Sequence, residues 1–128
     1  MRVLLSIKPE FAYKIFEGKK KFEYRKVIFK NLDIKTVVVY ASSPVQKVIG
    51  EFEIDEILSS EPTEIWRQTK KHAGISEDFF FEYFSDREVA HAIKIKKTTK
   101  YKQPLKLQEN FNVVPPQSYV YLLDEIIG

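Results

Sequence analysis

In Pro9-Glu10-Phe11-Ala12-Tyr13-Lys14-Ile15-Phe16-Glu17-Gly18-Lys19-Lys20-Lys21-Phe22-Glu23-Tyr24-Arg25 the apolar period changes at the glycine. Before it, Phe11, Ala12, Ile15 and Phe16 recur at helical spacing, and Pro9 suits a first helical position, where its missing N–H is not needed. Gly18 is a C-terminal stop, so the spacing predicts a helix from about Pro9 to Glu17. After it, Phe22 and Tyr24 point one way while Lys21, Glu23 and Arg25 point the other, the period of a strand.

Outward from this switch, Val3 to Ile7 reads as a short buried strand. Thr36-Val37-Val38-Val39-Tyr40 is a β-branched run without a polar break, as in a central strand covered on both faces. Ala41-Ser42-Ser43-Pro44 is a loop, and a long strand from Lys47 to about Leu58 follows. Pro62 to about His72 reads as a helix ended by Gly74. Ser76 is an N-cap for another, because Glu77 and Asp78 in its first turn suit the helix dipole. Val89 to about Thr99 and Tyr119 to Leu123 complete the strands. The order β-α-β-β-β-α-α-β-β lacks the regular alternation of a doubly wound sheet. It predicts an α+β fold: a mostly antiparallel, curled sheet or small barrel of five or six strands with about three helices outside.

The 128 residues suit one domain, 1–128, and 44% hydrophobic residues, with 10 Phe and 7 Tyr, furnish its core. Charged residues at 30% with both signs mixed argue against disorder. With no cysteine, disulfides, thiolate nucleophiles and Cys-type zinc sites are excluded, in keeping with a reducing compartment. Met1 to Lys8 holds too short an apolar stretch for a signal peptide, and no run approaches the ~18 apolar residues of a membrane span. The expected location is the cytoplasm, with no membrane partner.

Net charge is +3. The lysines gather at Lys19-Lys20-Lys21 and Arg25-Lys26, then at Lys94, Lys96-Lys97, Lys100 and Lys102. Acids gather in Glu51 to Glu56 and at Glu77-Asp78. Solvated strand faces account for these clusters as readily as a nucleic-acid surface does. Four glycines cannot build a phosphate-cradling loop, and two histidines, His72 and His91, exclude a His-rich metal site. No cofactor and no metal are expected. His91 shares the parity of Val89, Ile93 and Ile95 and reads as a packed residue. Tyr24 is expected inside, and Trp66, beside Ile65, reads as core or rim packing rather than as a stacking platform.

Gly18-Lys19-Lys20-Lys21-Phe22-Glu23-Tyr24-Arg25 has the form G-x-K-x-x-E-x-R between a first helix and a second strand. That pattern resembles the ASCH domains, relatives of the RNA-binding PUA fold. Leu5-Ser6-Ile7-Lys8-Pro9, Tyr40-Ala41-Ser42-Ser43-Pro44, Val48-Ile49-Gly50-Glu51 and Pro115-Pro116-Gln117-Ser118-Tyr119 extend the likeness. The resemblance implies a β-barrel whose cleft takes an RNA segment or a modified nucleoside or nucleotide. It implies a binding set of Gly18, Lys20, Glu23, Arg25, Ser42, Ser43, Gln117 and Ser118. Family members are assigned to RNA binding, to transcription-linked regulation and, in some branches, to hydrolysis of a modified cytidine or of RNA.

Physically, Glu23 and Arg25 share a strand face, so a carboxylate and a guanidinium can pair there or read a base edge together. An ordinary exposed ion pair is the plain alternative. Lys20 has the opposite parity and joins them only if the strand begins after it or bulges there. A desolvated Lys20 among other cations has a lowered pKa and suits a base or nucleophile, with Glu23 or Glu51 as carboxylate partner. A charged Lys20 suits phosphate contact. In the branch that deacetylates acetylated cytidine, threonine stands where this chain has Glu23. An acid is also expected there near Thr69 to His72, a stretch that holds none. Three readings stay open: a nucleic-acid-binding module, a small hydrolase of a modified nucleoside or RNA, and a protein-interaction module using the aromatic helix Phe79 to Phe84.

Overall fold

Pro9, Gly18, Pro62, Gly74 and Ser76 stand at or next to element ends in the computed structural model, which describes residues 1–123. Strand β1 (Arg2–Ile7) leads into helix α1 (Pro9–Phe16), which stops before Gly18 at φ +78°. Then come β2 (Phe22–Arg25), β3 (Thr36–Ala41) and β4 (Lys47–Ser60). Helix α2 (Pro62–Thr69) tightens into a 3₁₀ turn over Lys70–His72. In α3 (Glu77–Tyr83) the Ser76 hydroxyl accepts from the Phe79 N–H at 3.1 Å, as its N-cap position requires. The chain continues as β5 (Ala90–Leu105), α4 (Leu107–Phe111) and β6 (Tyr119–Leu122).

The six strands form one sheet in the order β2-β5-β4-β3-β1-β6, in which β1 and β3 run parallel and every other pairing is antiparallel. The fold is thus α+β and mostly antiparallel, but the expected barrel closure is not found. β2 and β6 are edges, with no ladder between them among the described residues. A side chain spans the gap instead. Arg25 Nη2 on β2 donates to the Ser118 carbonyl, just before β6, at 2.8 Å, and Nη1 donates to the Ser6 carbonyl on β1 at 3.2 Å. The sheet curls until its edges lie one arginine apart.

β3 is central and covered twice, as its unbroken apolar run predicts. Val37 and Val39 join Val3, Leu5, Ile15 and Phe52 under α1, while Val38 and Tyr40 join Leu4, Leu107 and Leu122 on the other face. A third cluster packs Tyr24, Ile65, Phe80, Phe84 and Ala92 between β2, β5 and the helices α2 and α3.

Two further expectations are corrected. β5 runs on past Thr99, through Gln103 and Pro104, because a register shift lets Leu105 pair with Val48. α4 lies between the last two expected strands, where no element was expected. Its five residues are too few to show a helical period, and it is held by burial of Leu107. The last five residues of the expected domain, 124–128, lie outside the described residues.

Candidate functional site

β2 begins at Phe22, so Lys20 precedes the strand and its opposite parity does not apply. Past Gly18, the N–H groups of Lys19 and Lys20 both donate to the Lys14 carbonyl, at 2.9 and 3.2 Å, and this compact exit turns the Lys20 side chain inward. Lys20 is 2% exposed and Glu23 5%. Both line a cavity of about 220 Å³, together with Tyr24 and Arg25. The remaining wall comes from β1 and its exit (Ser6 to Lys8), from Phe11 on α1, and from Ile75, Phe79 and Tyr83 at α3. Gln117, exposed, stands at the mouth.

Lys20 is held from three sides. Its Nζ donates to the Ala73 carbonyl at 3.0 Å and sits 4.4 Å from the centre of the Tyr24 ring and 5.6 Å from that of Phe11. Lys14 Nζ donates to the next carbonyl, Gly74, at 3.0 Å, and the Lys21 N–H donates to that of His72 at 2.9 Å. The loop after α2 is thereby docked onto the motif. Gly74 has φ +70°, and a Cβ there would meet Lys20 Cβ at 2.5 Å, so only glycine admits this approach. Burial lowers the Lys20 pKa to about 8; nearby Glu23 opposes the shift and the Lys14 cation adds to it.

Glu23 and Arg25 pair on the shared face, Nη1 to Oε2 at 3.3 Å. With the Ser6 and Ser118 carbonyls, this pairing takes three of the five N–H groups of the guanidinium. Tyr24 is buried as expected. Its hydroxyl donates to Thr69 Oγ1 at 2.7 Å, Thr69 in turn donates to the Ile65 carbonyl at 2.7 Å, and burial raises the phenol pKa to about 12. The rim is aromatic and cationic. Phe79 and Tyr83, one turn apart on α3, lie nearly parallel at 11° with centres 6.5 Å apart. Lys8 Nζ stands 5.7 Å from the Phe79 ring centre and Lys26 Nζ 4.7 Å from that of Tyr83.

The cavity therefore gathers Lys20, Glu23, Arg25 and Gln117 from the expected set. The others lie apart from it. Gly18 is exposed with no atom within 4 Å of a Cβ built there, and serves the turn. Ser42 and Ser43 lie in the turn between β3 and β4, where the Ser42 N–H donates to the Ile7 carbonyl at 3.0 Å. Ser118 contributes a backbone carbonyl to Arg25. Glu51 is opposite Val38 in the ladder, on the α4 face of the sheet, where the Tyr101 hydroxyl donates to it at 2.7 Å and Arg2 lies 3.8 Å away. Trp66 packs against Phe80, ring centres 5.0 Å apart. His91 Nδ1 is 2.7 Å from the Ser59 hydroxyl, and burial lowers its pKa. Among the described residues no group of three or more His, Cys, Asp or Glu is arranged to hold a metal, and no helix is long and apolar enough to cross a membrane.

Sequence reasoning missed Ser6, Lys8, Phe11, Ala73, Gly74, Phe79 and Tyr83 as site residues. The four-residue spacing of Phe79 and Tyr83 was the available signal, since it puts both on one side of a helix.

An open, curled α+β sheet with a buried lysine, a carboxylate and aromatic walls at one cavity defines the class of domain. The ASCH domain model matches residues 5–99, and the chain belongs to that family. A crystallographic neighbour, ASCH from Zymomonas mobilis, superposes with a TM-score of 0.86 at 31% identity, covering 95% of this chain and 87% of that one. An ASCH domain-containing ribonuclease of the same organism is 30% identical over 126 residues, 95% of this chain and 84% of the relative. Large ribosomal subunit protein uL22 of Ureaplasma parvum is 30% identical over 123 residues, and this chain spans 39% of its length.

Proposed function

We propose that this domain binds single-stranded RNA and takes one nucleotide into the cavity between α1, β2 and α3. The observation that carries this reading is the convergence of Lys20, Glu23, Arg25 and the Phe79–Tyr83 rim on that one cavity. At about 220 Å³ it exceeds the roughly 150 Å³ that admits benzene, so a single base fits and a duplex does not. Flat aromatic faces with lysines beside them are the surface on which unpaired bases stack while their phosphates meet cations. Support also comes from membership in the ASCH family and from the relative whose name is ribonuclease.

Titration of a labelled single-stranded RNA by fluorescence anisotropy tests the reading. Binding should weaken as salt rises. Phe79→Ala and Tyr83→Ala should each cost about 1–3 kcal/mol, the worth of one stacked base. Unchanged affinity in both variants, with circular dichroism intact, sinks it.

A second reading, cleavage of the bound RNA, is favoured by the Lys20 pKa of about 8. A neutral Lys20 amine is suited to take the proton from a ribose 2′-hydroxyl as that oxygen attacks the adjacent phosphorus, giving a 2′,3′-cyclic phosphate, while the 5′-oxygen leaves as an alcohol with a proton from water. Cleavage should then rise through about pH 8 and vanish in Lys20→Met. Product formation that is flat with pH, or that persists in the variant, rejects this second role. Deacetylation of cytidine has less support. Glu23 replaces the threonine, and Thr69 spends its hydroxyl on Tyr24 and the Ile65 carbonyl.

A further inference from the structure

We infer that Glu23 determines the specificity of the cavity and selects guanine, by accepting hydrogen bonds from the adjacent N1–H and N2 amino groups of that base. The inference rests on the reading of the cavity as a nucleotide site and adds to it which nucleotide enters.

Glu23 lines the cavity although it is 5% exposed. A carboxylate buried to that degree requires donors. Arg25 Nη1 serves Oε2 at 3.3 Å, and no described residue donates to Oε1. Yet no fully buried side-chain oxygen lacks a partner among the described residues. Oε1 is therefore open to the cavity, an acceptor awaiting a donor from whatever enters.

Arg25 orients that acceptor. Three of its five N–H groups go to the Ser6 and Ser118 carbonyls and to Glu23 itself, so the guanidinium fixes the carboxylate in place. Lys20 contributes to another part of the wall. One of its three N–H groups goes to the Ala73 carbonyl, which leaves donors for an acceptor on the ligand.

A phosphate carries acceptors only and cannot serve Glu23. A base edge carries both kinds. Guanine presents, in a row, an amino donor, a ring N–H donor and the O6 acceptor. The first two match the carboxylate, one at Oε1 and one at the lone pair that Oε2 keeps beside Arg25, and the third matches an ammonium. Uracil offers one N–H between two carbonyls. Cytosine and adenine set one amino group beside a bare ring nitrogen, whose lone pair would face the second carboxylate oxygen. Only guanine gives the carboxylate two neighbouring donors.

The test is competition against a labelled single-stranded RNA by the 5′-monophosphates of guanosine, inosine, N1-methylguanosine, adenosine, cytidine and uridine. Guanosine monophosphate should displace the RNA at roughly tenfold lower concentration than the adenosine, cytidine and uridine compounds, the discrimination of one good bidentate pair. Inosine, which lacks the N2 amino group, should fall between them, and N1-methylguanosine should lose the advantage. Glu23→Gln should bind all of them alike. Equal competition by every nucleotide overturns the inference, as does a guanine preference that survives N1 methylation or Glu23→Gln. The methylated and inosine arms use the unaltered protein, so they decide the matter even if the variant does not fold. RNA that binds without base preference overturns the role of Glu23 alone; RNA that does not bind at all overturns the nucleotide site as well.

Discussion

Lysines and glutamates face each other in two parts of this molecule, with opposite consequences. Along the β4–β5 ladder, Glu53 lies opposite Lys97 and Glu56 opposite Lys94, and Lys94 Nζ reaches Asp55 at 3.6 Å. These side chains stand in water, and the acidic segment neutralises the basic one across the ladder. At β2 the same residue types, Lys20, Glu23 and Arg25, are covered by α1, α3 and the Ala73–Gly74 loop. The difference teaches that cover, not composition, gives a charge its leverage. A buried charge must be held by particular groups, and whatever a buried cavity admits must satisfy what those groups leave open.

The largest test of that contrast is Arg25→Ala. It removes the donors to the Ser6 and Ser118 carbonyls, strips the buried Glu23 of its counter-charge and unfastens the two sheet edges. Breaking a buried pair from one side costs about 3–5 kcal/mol, to be read from the urea midpoint. A loss below about 1 kcal/mol, the worth of a surface pair, would put Arg25 in the same class as the ladder lysines.

Next in size is the response to pH. Lys20 has a pKa of about 8 in the folded protein against 10.5 when exposed. Between those values the unfolded chain binds more protons, so stability rises with pH by up to roughly 3 kcal/mol. Tyr24 works in the other direction. Its pKa of about 12 exceeds the ordinary 10.0, so above pH 10 the unfolded chain loses its proton first and stability falls. Urea unfolding should show a maximum near pH 10, and Lys20→Met should abolish the rise while keeping the fall. A wild-type protein with no rise above pH 8 would place the Lys20 ammonium in water, and the contrast with β5 would disappear.

Much of this was legible in local pattern. Thr36 to Tyr40 has the pattern of a strand covered on both faces, and it is one. The period change at Gly18 placed β2, and with it the shared face on which Glu23 and Arg25 meet. What stayed hidden depends on contacts remote in sequence. The Ala73 carbonyl that holds Lys20 is 53 residues away, and the Ser118 carbonyl that holds Arg25 is 93. No periodicity records either contact. Whether the sheet closes depended on that second one, because an arginine side chain spans the edges in place of a strand ladder. Ser42 and Ser43 show the converse. They carry a likeness to the family pattern, but both lie in the β3–β4 turn outside the cavity lining, where backbone bonding accounts for Ser42.

The smallest effect sharpens the comparison from the exposed side. Lys94 and Asp55 keep 44% and 47% of their side chains exposed, so water screens their attraction and the released partner is simply rehydrated. Lys94→Ala should therefore change stability by no more than about 1 kcal/mol. Salt separates the two regions further. At 1 M the screening length is roughly 3 Å, which should erase the Lys94→Ala difference while leaving the Arg25→Ala deficit nearly whole, since ions do not enter between Arg25 and the Ser118 carbonyl at 2.8 Å. Parallel urea titrations of the two variants at low and high salt measure this directly. Equal salt sensitivity would mean that Arg25 and Glu23 are solvated after all, and that the cavity they line does not hold its charges apart from water.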